Sequence, residues 1–398
     1  MSLALLMNDS HLWGIWAYKA LKRSGIPFEV ILSEDLTEDL LYRCRALFVP
    51  GGWSKNKLES LDERARKGIR DFIEGGGLYL GICGGASLAC KEALGLVQIG
   101  RSRERVPSYS GPCEVALDRS HPLFKGIKKA KFYLWFPPKL EIEDPSAKVL
   151  GSFNKALSEA FVSDLCLGDH WENLAQFEKL YGISLNPDKM IGTPLLIEVP
   201  LGKGKVLLSL IHFDTPLSKE GLKVLQNLRD YYLCPNGKEY VIKKFDKNRV
   251  QSREQISLLR SYNTLFQKTK DLVMYANRNF LLTPRGNYFY QWKRGIRGLE
   301  LLNLFFAFHE IVTLLSKERL SIEFIEELIE LTHDIETFSL QVLDTIRREY
   351  ELFRVNGSIG ILEDTVLLFG KNVKSYGGLY KILINRLERV LVKLWRGW

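Results

Sequence analysis

Through the first hundred residues, short apolar runs alternate with amphipathic stretches. Leu3–Met7, Phe28–Leu32, Ala46–Val49 and Leu78–Ile82 read as strands, while Ile15–Ser24, Thr37–Arg43 and Glu59–Glu74 carry helical spacing. Strands alternating with helices predict an α/β domain, a parallel sheet covered on both faces that binds ligands beyond the strand carboxyl ends. Pro50-Gly51-Gly52 and Cys83 both fall at such ends, so they are expected to be neighbours although 31 positions separate Gly52 from Cys83.

From Val97 to Phe153 the pattern changes to strand-like pieces broken by Pro and Gly, among them Cys113–Leu117, Lys131–Phe136 and Lys148–Phe153. These predict an antiparallel extension of the sheet. Residues 155–192 read as an irregular polar and aromatic insertion. Pro194–Val199 and Lys205–Ile211 then form a hairpin through Leu201-Gly202-Lys203-Gly204, and a helix over Glu220–Tyr232 closes the domain. Cys234-Pro235-Asn236-Gly237 marks the boundary, giving domains at 1–235 and 236–398. Beyond it the period is helical. Ile322, Ile325, Leu328, Ile329, Thr332, Ile335, Phe338, Val342 and Ile346 form the stripe of one long helix. Further helices are expected at Arg253–Asn279, Arg297–Ser316, Ile361–Phe369 and Gly378–Trp395, which together make an all-α bundle of about five helices.

Composition adds limits to this picture. The chain has 398 residues, 46% hydrophobic and 26% charged, as an ordinary globular protein has, and its length favours two domains. Of the net charge of +9, +2 belongs to residues 1–235 and +7 to residues 236–398. Six cysteines without CxxC or metal-ligand spacing, and no charged-then-apolar leader, predict reduced thiols and a cytoplasmic location. Leu299–Leu315 is interrupted by Asn303, His309 and Glu310 and reads as a buried helix rather than a membrane span.

The chemistry concentrates at two places. Leu78–Ile82 breaks at Gly81-Ile82-Cys83-Gly84-Gly85 and resumes as a helix, the form of a nucleophile elbow that lifts a thiol to a helix amino terminus. Far downstream, the strand Lys205–Ile211 delivers His212 and Asp214 at its carboxyl end. A thiol nucleophile, an imidazole to carry the proton and a carboxylate to orient the imidazole are thus all present. Each has a plainer reading. Cys83 could be a small residue buried in a tight turn, His212 a strand-end surface histidine, and Asp214 the cap of the Thr215-Pro216 turn.

Pro50-Gly51-Gly52, the Cys83 turn, His121-Pro122-Leu123-Phe124, and Gly202-Lys203-Gly204 followed by His212-Phe213-Asp214 occur in one order. Over about residues 1–235 this resembles the class I glutamine amidotransferase-like superfamily, most closely the amino-terminal domain of biotin-protein ligases. The resemblance implies a flavodoxin-like, mostly parallel sheet with helices on both faces. It also implies Cys83 as nucleophile, a His–acid pair, and an oxyanion hole from the backbone amides of Gly52 and Gly84, with Gly51 shaping the turn. Two positions depart from the superfamily pattern. Ser87 stands where glutamine-hydrolysing relatives carry a substrate-holding Gln, and Asp214 stands where Glu is more common. No GxxxxGK[ST] phosphate loop and no recognisable biotin-ligase catalytic domain follow.

The remaining candidates read more simply. Asp9 or Ser10 is expected to cap the helix near His11, with Trp13 as packing; Asp169-His170-Trp171-Glu172 is read as an exposed loop rather than a lid. Lys381–Trp398 is read as the last bundle helix with a solvated basic face rather than a membrane-surface helix. No metal, no cofactor and no nucleic-acid partner are expected. Two functions remain in contention. The first is a Cys-dependent amidase or glutamine amidotransferase-like hydrolase acting on a C–N bond. The second is a non-catalytic module that holds a small amide or carboxylate ligand while the helical domain engages a partner protein.

Overall fold

The computed structural model describes residues 2–216, 218–233, 253–279, 282–285, 289–292, 298–317, 320–357, 362–372 and 375–397. The chain forms two compact units, Met1–Ile242 and Lys243–Trp398. The expected boundary at Cys234-Pro235-Asn236-Gly237 lies outside the described residues.

In the first unit, β1 (Ser2–Leu6) leads through α1 (His11–Ser24) to β2 (Phe28–Ile31), and α2 (Glu38–Arg43) leads to β3 (Cys44–Val49). Next come α3 (Ser54–Glu59), α4 (Glu63–Glu74), β4 (Leu78–Ile82) and α5 (Gly84–Ala89). An excursion follows through β5 (Ile99–Arg101), β6 (Tyr109–Leu117), β7 (Lys131–Trp135), β8 (Leu140–Ile142), β9 (Lys148–Ala156), β10 (Phe161–Val162) and β11 (Leu165–Cys166). After α6 (Leu167–His170) and α7 (Leu174–Tyr181), the hairpin of β12 (Pro194–Leu201) and β13 (Gly204–Ser209) returns to the centre, and α8 (Lys219–Leu228) closes the unit.

The main sheet runs β11-β10-β6-β9-β12-β13-β4-β3-β1-β2, with β7 paired to β6. Its half β2-β1-β3-β4-β13 is parallel throughout, and this strand order is the flavodoxin-like one. The other half is antiparallel, as the Pro- and Gly-broken stretch predicts. α1 packs with α8, and α2 with α4, the two-sided cover that right-handed crossovers give when the chain reverses its direction across the sheet after β2. β4 is buried at every position and β3 at all but Arg45, which is why both are apolar runs rather than alternating ones. α4 turns Ala65, Ile69 and Ile73 inward at four-residue spacing and its polar side outward.

Several expectations need correction. Glu59–Glu74 is not one helix. Asp62 leaves helical geometry and its Oδ1 accepts from Ala65 N at 2.7 Å, so a new helix starts there. α1 begins at His11, four residues before the apolar period becomes visible. Residues 155–192 are not irregular throughout: they contain β10, β11, α6 and α7. The closing helix ends at Leu228 and passes into one wide turn over Arg229–Leu233.

The second unit holds five helices among the described residues: α9 (Arg253–Arg278), α10 (Gly298–Leu315), α11 (Ile322–Asn356), α12 (Glu363–Phe369) and α13 (Gly378–Arg396). Arg297 and Ile361, the expected starts of two of them, lie outside the described residues. A hairpin of β14 (Leu282–Arg285) and β15 (Phe289–Trp292) was not predicted from the helical period. In α11 the stripe Ile325, Leu328, Ile335, Phe338, Val342 and Ile346 is buried, whereas Ile322 and Ile329 face outward. Arg386 and Lys393 on α13 pair with Asp334 and Glu327 on α11 while all four side chains stay exposed, so the solvated basic face also carries surface ion pairs. Among the described residues no helix is long and apolar enough to cross a membrane.

Candidate active site

β4 ends inside the sheet, and its ladder with β13 continues one residue further: Cys83 N donates to Ser209 O at 2.7 Å. The chain then turns at once into α5, which forces Cys83 to φ 52° and ψ −104°. An L-residue seldom adopts a positive φ, and here it aims the side chain away from the strand. Gly84 is required by its neighbour, since a methyl group there would stand 1.8 Å from the Gly52 carbonyl oxygen. The Pro50-Gly51-Gly52 turn and the Cys83 turn therefore touch backbone to backbone, as their strand-end positions imply. From beneath, the buried Tyr79 hydroxyl donates to Gly85 O at 2.7 Å.

The antiparallel half positions the imidazole. β7 runs beside the end of β13, where Leu134 bridges Ile211 and His212 N donates to Tyr133 O at 3.0 Å. Trp135 Nε1 donates to Thr215 Oγ1 at 3.1 Å, which holds the turn after His212. Within that turn His212 Nδ1 lies 2.9 Å from Asp214 Oδ1, and both side chains are fully buried. Cys83 remains partly exposed, and its Sγ donates to the Trp135 carbonyl at 3.7 Å.

Burial disfavours the charged imidazole, but the Asp214 carboxylate and then Cys83 outweigh it and raise the His212 pKa to about 9. His212 Nε2, the ring nitrogen not used by Asp214, is buried without a hydrogen-bond partner. Such a nitrogen is free to take or return a proton. Cys90 and Cys113, unlike the partly exposed Cys83, are sealed in the core; burial pushes the thiols of Cys90 and Cys113 up, that of Cys90 to about 12.

Beside this group the strand order reverses between β1 and β3, the switch point where open α/β sheets bind ligands. The loop from β1 to α1 contributes Asn8, Asp9, Ser10 and His11, all buried, with Asp9 at φ 51° and His11 at φ 47°. Ser10 makes no side-chain cap to α1, contrary to expectation; its hydroxyl accepts from Lys57 Nζ at 2.5 Å. Trp13 packs as expected, edge-on to Trp16 and against the His212 ring, whose centroid lies 4.7 Å away. Gly51 is held between them, since a side chain there would meet Trp13 at 2.9 Å and His212 at 3.2 Å.

The structure therefore brings Cys83, His212, Asp214, Gly51, Gly52 and Gly84 together. Ser87 sits one turn into α5, 5% exposed, its N bonded to Cys83 O at 2.9 Å. Asp169-His170-Trp171-Glu172 is helical rather than an open loop, and His170 stacks edge-on to Phe177. Lys57, Tyr133 and Trp135 gave no sequence signal. Lys57 reads as one more cation on a polar helix, and the role of β7 depends on a long-range pairing. Among the described residues no group of three His, Cys, Asp or Glu side chains could hold a metal ion.

Residues 29–106 match the family model described as biotin-protein ligase, N terminal, a span that includes Gly51, Gly52, Cys83, Gly84 and Ser87 but not His212 or Asp214. No curated protein matches the chain in sequence. Among solved structures, the chain is similar to PurLQS from Thermotoga maritima at 15% identity and a TM-score of 0.42, over 58% of this chain and 98% of that one. It is also similar to a Thermoplasma acidophilum protein assigned as part of a GMP synthase, at 12% identity and a TM-score of 0.38, over 57% and 92% of the two chains. A cytoplasmic protein from Salmonella typhimurium LT2 matches at 15% identity and a TM-score of 0.37, over 58% and 99%.

Proposed function

We propose that residues 1–235 carry a Cys-dependent amidase site of the glutamine amidotransferase type, with Cys83 as nucleophile, His212 as proton carrier and Asp214 as its orienting partner. The observation that carries this reading is one convergence: a thiol on a strained elbow whose turn abuts the Gly51-Gly52 turn, and against that same turn an imidazole that a buried carboxylate holds at 2.9 Å. The Cys83 thiolate attacks the carbonyl carbon of an amide, and the C=O electron pair moves to oxygen. The backbone amides of Gly52 and Gly84 receive that oxyanion, a contribution of about 3 kcal/mol per donor in comparable sites. His212 gives its proton to the leaving nitrogen, the C–N bond breaks, and a thioester remains on Cys83. Water then loses a proton to His212 and attacks the thioester carbon; the C–S bond breaks, the acid leaves, and the Cys83 thiolate and protonated His212 are restored.

A second reading has its own support. The thiol donates to the Trp135 carbonyl and not to His212, and Ser87 replaces the substrate-holding Gln implied by the resemblance. In that reading the crevice binds a small amide or carboxylate without turnover, and the helical unit engages a partner protein. Activated p-nitrophenyl esters and p-nitroanilides separate the two. The amidase reading expects nitrophenolate from the esters, p-nitroaniline from the anilides, and an acyl adduct on Cys83 by intact mass, all abolished in Cys83→Ala. Release that persists in Cys83→Ala, or the absence of any adduct on Cys83, would contradict it.

A further inference from the structure

Lys57 lies on α3 with 2% of its surface exposed, an unusual place for a lysine. Its Nζ donates to Asn8 O at 3.0 Å and to Ser10 Oγ at 2.5 Å. Its Cε stands 3.2 Å from the point where a Cβ on Gly52 would sit, and the Asp9 carbonyl lies 2.5 Å from the same point. One side chain thus spans the two loops that frame the switch point.

Those loops are strained. Asp9 and His11 flank Ser10 with φ of 51° and 47°, a backbone conformation that residues with a Cβ keep only where their surroundings fix it. Lys57 bonds to the two residues interleaved with them, Asn8 and Ser10. The turn so fixed leads directly into α1 and sets Trp13 on His212. It also seats Gly52 against the Asp9 carbonyl on one side, while the Gly52 carbonyl abuts Gly84, the residue after Cys83, on the other. A buried amine without hydrogen bonds would cost several kcal/mol, so these acceptors are a condition of its burial.

We propose that Lys57 is a positioning residue, a buried clamp that holds the turn at residues 8–11 and the Gly51-Gly52 turn in register around Cys83 and His212. The chemical consequence rests on the amidase reading above; the clamp itself does not.

Lys57→Met keeps the stem and removes the donors. In the full chain, with Cys166→Ser and Cys234→Ser as background, two quantities are read: amide hydrogen exchange by mass spectrometry, and the rate of Cys83 alkylation by iodoacetamide against pH. The clamp expects exchange over residues 8–13 and 51–54 to rise about tenfold while β3 and β4 keep their rates. It also expects Cys83 alkylation near pH 6.5 to fall about tenfold. Unchanged exchange overturns the clamp. Faster exchange with an unchanged pH profile overturns the positioning role and leaves a structural one. Should Lys57→Met fail to fold, Ser10→Ala, which removes one acceptor, is read in the same way with smaller shifts expected. A wild-type chain without fast, His212-dependent alkylation would instead contradict the amidase reading, and the exchange result would still decide the clamp.

Discussion

At the scale of residues, the centre is built on strain and on one buried ion pair. Cys83, at φ 52° and ψ −104°, occupies a conformation that glycine reaches freely and that strains cysteine and alanine alike. Cys83→Gly is therefore expected to be more stable than Cys83→Ala by about 1 kcal/mol in urea melts, although both lose the thiol. Asp214 is the largest of the influences that raise His212, so Asp214→Asn should move the imidazole titration, followed by NMR, down from about 9. The same variant should cut any turnover by about 10²–10⁴-fold, as removal of a proton carrier's partner does. Because the folded-state pKa is raised, the stability that His212 contributes is full below about pH 6.5 and is lost as the pH climbs through about 9. Cys83, His212 and Asp214 were legible in the sequence because each ends an apolar strand run. Lys57 was not, because burial of a lysine is decided by contacts with Asn8 and Ser10, some fifty positions away.

At the scale of elements, local patterning located the strands well and helix limits less well. The apolar runs of β3 and β4 were legible because both faces of a central parallel strand are buried. The break between α3 and α4 was not, because it depends on the Asp62 cap rather than on a change of period. Asp62→Ala is expected to cost about 1 kcal/mol in denaturant melts, with α4 fraying first in hydrogen exchange. Tyr79→Phe removes the 2.7 Å bond to Gly85 O and should cost about 1–3 kcal/mol if that carbonyl is left unsatisfied. The hairpin of β14 and β15 was hidden because its strands are short and lie between long helical stretches. The insertion at residues 155–192 was read as irregular because β10 and β11 are two residues each and gain their order from long-range pairing, β10 with β6 and β11 with β10.

At the scale of the molecule, each unit has its own core, and the candidate site belongs wholly to the first. A chain of residues 1–242 is accordingly expected to fold alone and to keep the Cys83 environment. Stability of that unit should also fall on the acid side. Burial holds His121 below its ordinary value; burial pushes Glu198 up, but the Tyr232 hydroxyl and Lys205 outweigh it and hold its carboxyl low. Both groups stabilise the fold above their unfolded values and lose that contribution as the pH falls, opposite in sign to His212. Melting temperature should therefore peak near neutrality, and His121→Gln should flatten the acid limb. The central claim, that thiol, imidazole and carboxylate act as one centre, is tested most directly by the pH dependence of Cys83 alkylation in the wild-type chain and in His212→Ala. The account expects fast alkylation well below pH 8 in the wild type and a single ordinary thiol titration near about 8.5 in the variant. Superimposable profiles, each titrating as an isolated cysteine, would contradict it.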